Sequence, residues 1–167
     1  MRVKIYSPTY GERIVFIDKE DWEPLKRYKW GVWRSPLNGK FYVVHSWKRG
    51  GEEVTIRMHR MILGVSDPGI KVDHIDGDSL NNTRRNLRIA TCSQNSMNRG
   101  KTVKNRSGFK GVIFEPKKKL YRVVITANRK VVRAGRFKNP VDAAKKYNEL
   151  AIKYHGEFAR LNKITNV

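Results

Sequence analysis

The stretch VDHIDGDSLNNTRRNLRIATCSQN, residues 72–95, gathers residue types suited to phosphodiester chemistry. Hydrolysis of such a bond needs a divalent cation held by oxygen ligands against the phosphate. It also needs a base to deprotonate water, and charge to stabilise the leaving oxygen. Asp73 offers a hard carboxylate and Asn95 an amide carbonyl. Both suit Mg²⁺, with Mn²⁺ as the alternative, because such a cation keeps several waters of its own. His74 is the natural general base near neutral pH. Successive residues of a strand point to opposite sides. Asp73 and His74 can therefore serve one site only where the strand ends or twists, and the Asp76-Gly77-Asp78 turn that follows allows this.

Two plainer readings compete. An EF-hand loop wants acids at its first, third and fifth positions before the glycine. With Gly77 as that glycine those positions hold Val72, His74 and Asp76, so two of three fail. A simple turn accounts for Asp76-Gly77-Asp78 and Asn81-Asn82 but leaves Asp73-His74 unexplained.

The pattern V-D-H-I-D-G-D-x-x-N-N-x-x-x-N-L-R-x-A-T-x-x-Q-N resembles the HNH nuclease motif, in the version common among phage and intron-encoded homing endonucleases. That resemblance implies two strands, a loop and a helix wrapped round one metal ion (ββα-metal). Position by position it makes His74 the general base, Asp73 a metal ligand, Asn86 the brace of the loop, and Asn95 the second ligand. Leu87–Ala90 becomes the second strand, and Ser93 the cap of the helix carrying Asn95. MHRMILG, residues 58–64, is similar to the helix that precedes the motif in these enzymes. Many HNH proteins add a four-cysteine zinc site. Here Cys92 is the one cysteine, so no structural zinc of that kind and no intrachain disulfide are expected. Cys92 itself reads as buried filler, and His59 as structural.

The elements that must position these residues lie upstream. Residues 3–17 alternate loosely and predict strands around a Pro8–Gly11 turn. A short helix begins near Asp18. Phe41–Trp47 and Val54–Met58 flank KRGGEE, a hairpin signal. Met58, Met61, Ile62 and Val65 fall at helical spacing, and Asp67-Pro68-Gly69 breaks the chain. The first twenty residues lack the apolar run of a signal peptide, and no run approaches the ~18 residues of a membrane span.

Charge dominates the composition: 36 Lys and Arg against 15 Asp and Glu in 167 residues, a net +21. Such a balance points to a polyanion, nucleic acid before membrane. Between Arg99 and Lys138 there are 14 Lys or Arg and one acid, Glu115. Residues 96–107 are polar, basic and poor in apolar residues, and predict a linker. Beyond them Lys110–Phe114, Leu120–Ala127 and Lys130–Phe137 read as three strands, and Asn139-Pro140 opens a helix. Odd positions of the middle strand should face that helix and even positions outwards.

Residues 107–162 resemble an Apetala2-type domain, the DNA-binding module of plant ethylene-response factors. F-K-G-V, A-G-R-F, V-D-A-A-x-x-Y and G-E-F-A-R-L-N carry the likeness. It implies a three-stranded sheet laid in the major groove. Ile113, Glu115, Arg122, Val124, Thr126, Val131 and Arg133 are then the DNA-facing positions. Lys110, Lys117, Lys118, Lys119 and Arg136 become phosphate clamps.

Together these readings predict an α+β protein. A β-rich HNH nuclease domain covers 1–95, a basic linker 96–107, and a three-stranded antiparallel sheet with one helix 108–167. The expected activity is site-specific cleavage of double-stranded DNA with one divalent metal, in the cytoplasm of a bacterial host by a phage-encoded monomer. No membrane and no small-molecule substrate are expected. Arg99, Lys101, Lys104, Arg106, Lys110, Arg122, Thr126, Arg129, Arg133 and Arg136 are the expected DNA contacts. The rival readings are a catalytically inactive DNA-binding regulator and an RNA-binding protein. The four tryptophans all lie in the first 47 residues, away from the basic sheet, which counts against RNA-stacking platforms there.

Overall fold

Loose alternation at the start of the chain becomes a hairpin in the computed structural model, which describes residues 1–164. β1 (Arg2–Ser7) pairs antiparallel with β2 (Gly11–Phe16). α1 (Lys19–Leu25) follows. Asp18 does not cap it; its carboxylate instead accepts the backbone N–H of Arg84 at 2.8 Å. β3 (Gly31–Arg34), β4 (Phe41–Arg49) and β5 (Glu52–Arg57) form one antiparallel sheet in that order. The turn expected in KRGGEE is Gly50-Gly51, with φ of +61° and +88°. Two successive positive φ values suit the twist of a tight hairpin, and glycine adopts them without strain.

The chain passes directly into α2 (Met58–Ile62) and then into β6 (Lys71–His74), which pairs antiparallel with β7 (Leu87–Ala90). Ile5, Val15, Ile17, Leu25, Val32, Val43, Met58, Ile62 and Leu87 make one buried core, so α2 and both hairpins share it. α3 (Cys92–Met97) comes next. It starts two residues earlier than a Ser93 cap would set it, so Ser93 lies inside it rather than capping it. Cys92 is exposed, not buried filler.

The chain divides into two compact units, residues 1–92 and residues 93 onward. The division falls three residues before the expected end of the first domain at 95. The expected linker is not continuous either. Ser96 and Met97 belong to α3. At the other end Asn105 donates to the carbonyls of Phe109 (2.8 Å) and Val112 (3.2 Å), and Ser107 Oγ to that of Val112 (2.8 Å), which ties the segment to the second unit. Residues 165–167 of the expected C-terminal domain lie outside the described residues.

In the second unit β8 (Val112–Glu115), β9 (Leu120–Ala127) and β10 (Lys130–Phe137) form an antiparallel sheet in the order β10-β9-β8. α4 (Pro140–His155) packs on it. Asn139 caps α4 by accepting the Val141 N–H at 2.7 Å, with Pro140 at the first turn. Ala143, Ala144 and Ala151 are small enough to bring the helix close, and with Val112, Val123, Ile125 and Tyr147 they form the core. Gly111 shows how tight the fit is. It sits at φ +71°, and a Cβ there would lie 2.0 Å from a ring carbon of Tyr147.

Candidate active site and nucleic-acid face

Asp73 and His74 are the last two residues of β6, and both are buried. The register sets Asp73 directly opposite Arg88 of β7 and His74 opposite Leu87. Arg88 grips Asp73 Oδ2 through Nη2 at 2.8 Å and Nε at 3.0 Å. Arg88 was not among the residues expected to matter. Its link to Asp73 depends on cross-strand register, which the intervening loop conceals.

The loop from Ile75 to Asn86 is cross-braced. Asn86 Nδ2 donates to Asp76 Oδ1 at 2.9 Å and to the carbonyl of Asn81 at 2.8 Å, while its Oδ1 accepts the N–H of Asp76 at 3.0 Å. Asn81 Nδ2 donates to Asp76 Oδ2 at 2.7 Å. Asp76 also accepts the N–H of Asp78 at 2.8 Å. Burial alone would raise the Asp76 pKa, but hydrogen bonds from Asn81, the Asp78 N–H and Asn86 outweigh it and hold the carboxyl below its ordinary value. Three aspartates in a basic chain thus divide their work: Asp76 and Asp78 build the loop, and Asp73 faces a cation.

The N-terminal elements hold this loop from behind. The N–H of Phe16 donates to the carbonyl of Leu80 at 3.0 Å, and the N–H of Asn82 to that of Phe16 at 2.7 Å. The Arg84 guanidinium meets the buried Asp21 of α1, with Nη2 2.7 Å from Oδ1.

His74 Nε2 lies 3.4 Å from Oδ1 of the fully buried Asn82. Burial lowers the His74 pKa; the Asn82 contact and the charges of Asp76 and Asp73 oppose this without reversing it. The imidazole is therefore neutral at pH 7, the state a base requires. His59 of α2 packs edge-on against the His74 ring, centroids 4.9 Å apart, and Tyr42 of β4 touches both. His59 is 4 % exposed, and burial with the charges of His74, Arg57 and Arg60 lowers its pKa to about 3. Its place beside His74 was not legible from its sequence neighbours, Met58 and Arg60.

Asn95 lies on α3, in the second unit. Among the described residues no three His, Cys, Asp or Glu side chains are grouped to hold a metal. Oxygen donors of the Asp and Asn type suit a hard cation that retains most of its water, so the chemistry of the expected pair fits Mg²⁺ or Mn²⁺.

In the second unit the outward face of the sheet carries Arg122, Arg136, Arg133, Val124, Thr126, Val131 and Ile113. Glu115 pairs with two of them: Oε1 lies 3.1 Å from Arg122 Nε and Oε2 lies 2.7 Å from Arg136 Nε. The Arg136 hydrogen bond leads in holding the Glu115 carboxyl below its ordinary pKa. β10 shifts register between Arg133 and Arg136: Arg133 pairs with Val124 and Arg136 with Arg122. Residues three apart therefore face the same way, with Gly135 at φ +105° in the bulge. Thr126, Arg129 and Arg133 are exposed, as are Arg99, Lys101, Lys104 and Arg106. Among the described residues none of these six Arg and Lys side chains forms an ion pair.

Lys110, expected as a phosphate clamp, has its side chain and its backbone both engaged within the second unit. Its amine donates to the carbonyl of Met97, its N–H to Asn162 Oδ1 at 2.7 Å, and Asn162 Nδ2 returns to its carbonyl at 3.0 Å. Burial, with the charge of Arg160, lowers its pKa to about 8. At least one of its donors is used on the protein's own backbone.

The sequence model described as an HNH endonuclease matches residues 56–97, which run from the end of β5 through α3. The chain is 32 % identical over 150 residues to an uncharacterised HNH endonuclease of Acanthamoeba polyphaga mimivirus, a match covering 89 % of this chain and 74 % of that protein. It is 37 % identical over 67 residues to Protein 3.8 of Escherichia phage T7, covering 40 % of this chain and 55 % of that one. No solved structure matches it. Among the described residues no helix is long and apolar enough to cross a membrane.

Proposed function

The chain belongs to the HNH endonuclease family, and from that premise we propose that it is a metal-dependent, site-specific endonuclease of double-stranded DNA, of the homing type. The observation that carries the reading is the pair Asp73-His74 at the end of β6, one side chain engaging a cation and the other kept neutral. Asp73 and Asn95 are the residues that would hold a Mg²⁺ or Mn²⁺ ion. When bound, such an ion supplies positive charge against the phosphate and the 3′ leaving oxygen.

His74 takes a proton from the attacking water. Its Nε2 lies 3.4 Å from Asn82 Oδ1, a contact that orients the ring. Neither His59 nor His74 is charged at neutral pH, so the base is not spent before the reaction. Asn86 and Asp76 hold the loop on which this orientation depends. The basic outward face of β8–β10 supplies the target-reading surface. Arg133 contacts bases or phosphates in the major groove, with Arg99, Lys101, Lys104, Arg106 and Arg129 on the backbone.

Supercoiled plasmid incubated with Mg²⁺, with and without EDTA, tests the reading. We expect nicked or linear product that chelator abolishes. His74→Ala should cut at least ~100-fold more slowly while binding DNA as before. Binding by wild type with no Mg²⁺-dependent cleavage would replace this reading with that of a DNA-binding regulator.

A further inference from the structure

One cation near His74 is left without a role. Trp33 of β3 lies directly across from Tyr42 of β4, and Arg57 of β5 pairs with Val44 two residues along on the same face. The Arg57 guanidinium stands 5.4 Å from the Trp33 ring and 5.3 Å from the Tyr42 ring. Tyr42 in turn meets the His74 ring at 6.5 Å. A line of contacts therefore runs from an exposed arginine across an aromatic step to the candidate base, all within the first unit.

Three features separate this from incidental stacking. Arg57 is exposed, and among the described residues it forms no ion pair, although Glu52 and Glu53 share its strand. A guanidinium held near aromatic rings by cation–π attraction can still direct N–H donors at a phosphate. Both the guanidinium and the imidazole lie within 6.5 Å of Tyr42, so a phosphate held by Arg57 would belong to the same short stretch of strand as the bond facing His74. Trp33, itself 38 % exposed, continues the same surface.

We propose that Arg57, fixed on Trp33 and Tyr42, is a positioning residue that binds a phosphate of the strand being cut, close to the bond under attack. This face of the β3-β4-β5 sheet is then a DNA-contact surface separate from the C-terminal sheet. The inference deepens the nuclease reading and rests on it.

The test compares the full chain with Arg57→Gln and Arg57→Lys on plasmid DNA, across a range of salt. Arg57→Gln should raise the DNA concentration for half-maximal cleavage about tenfold, and lower the log–log salt slope by ~0.9, one phosphate contact. Arg57→Lys should restore the slope, since the charge remains, and recover only part of the affinity, since the planar, multi-donor guanidinium is lost. Thermal melting followed by tryptophan fluorescence should be the same for all three, which excludes a folding effect. Cleavage by Arg57→Gln with unchanged half-saturation and slope overturns the inference. If wild type cuts nothing, the nuclease reading fails on its own. The same slopes, measured on binding, then decide whether Arg57 meets phosphate.

Discussion

Protonation of His59 should couple the stability of the first unit to pH. The folded-state pKa is about 3, against an ordinary value of 6.5. Between those values the unfolded chain binds a proton that the folded chain does not. Stability is therefore full above pH 6.5 and lost progressively as pH falls towards 3. Between pH 7.5 and pH 5 the loss attributable to His59 is about 2 kcal/mol, from a pKa gap that opens by 1.5 units below the unfolded value. His74 is shifted in the same direction and adds to it. Asp76, with its lowered pKa, costs stability only at more acid pH. Trp22, Trp30, Trp33 and Trp47 all lie in the first unit, and no tryptophan lies in the second, so tryptophan fluorescence during urea unfolding reports the first unit selectively. At an m-value of about 1–2 kcal/mol/M the midpoint should fall by about 1–2 M between the two pH values. His59→Phe keeps a ring against His74 and Tyr42 but cannot take the proton. It should lose most of that midpoint shift. A midpoint that moves as much in the variant as in wild type would refute the linkage.

Arg88→Met removes the guanidinium that grips the buried Asp73, and should cost about 3–5 kcal/mol by the same fluorescence titration. Adding Asp73→Asn should return part of that, and a cost under about 1 kcal/mol for the single change would show the pair to be weak. Gly111→Ala forces a side chain into the Tyr147 ring at a positive φ, and should destabilise the second unit by about 2–5 kcal/mol, read by far-UV circular dichroism melting. Gly135→Val demands φ +105° of a β-branched residue, whereas deleting Gly135 leaves a regular strand with Arg136 still facing outwards. The deletion should therefore melt at a higher temperature than the substitution, and the reverse order would mean the bulge is held by something other than glycine's freedom.

Elements with strong local signals could be placed from the residues alone. The Gly50-Gly51 hairpin and the Asn139-Pro140 start of α4 each announce themselves within a few positions, whereas the strand at Leu87–Ala90 followed only from the likeness to the nuclease motif. What escaped was long-range. Asp73 and Arg88 meet because β6 and β7 pair in one register, and nothing in the loop between them states that register. His59 reaches His74 only through the packing of α2 against β4. Lys110 looked like one basic residue among many, yet its amine is bound to a backbone carbonyl. Charge in a sequence says that a polyanion is wanted, but not which cations are free to meet it. Arg122 and Arg136, each matched to Glu115, make the same point.

The bulge in β10 means that strand is written in two phases. Up to Arg133 its odd-numbered residues look outwards, and from Arg136 its even-numbered ones do. A comparison of related sequences that ignores this shift would set Gly135, and then Phe137, in the row of side chains a DNA groove would meet. The same slip would hide Arg136 on the helix side. Any redesign of this face should therefore count positions from the cross-strand partners on β9, Val124 and Arg122, and not along β10 itself.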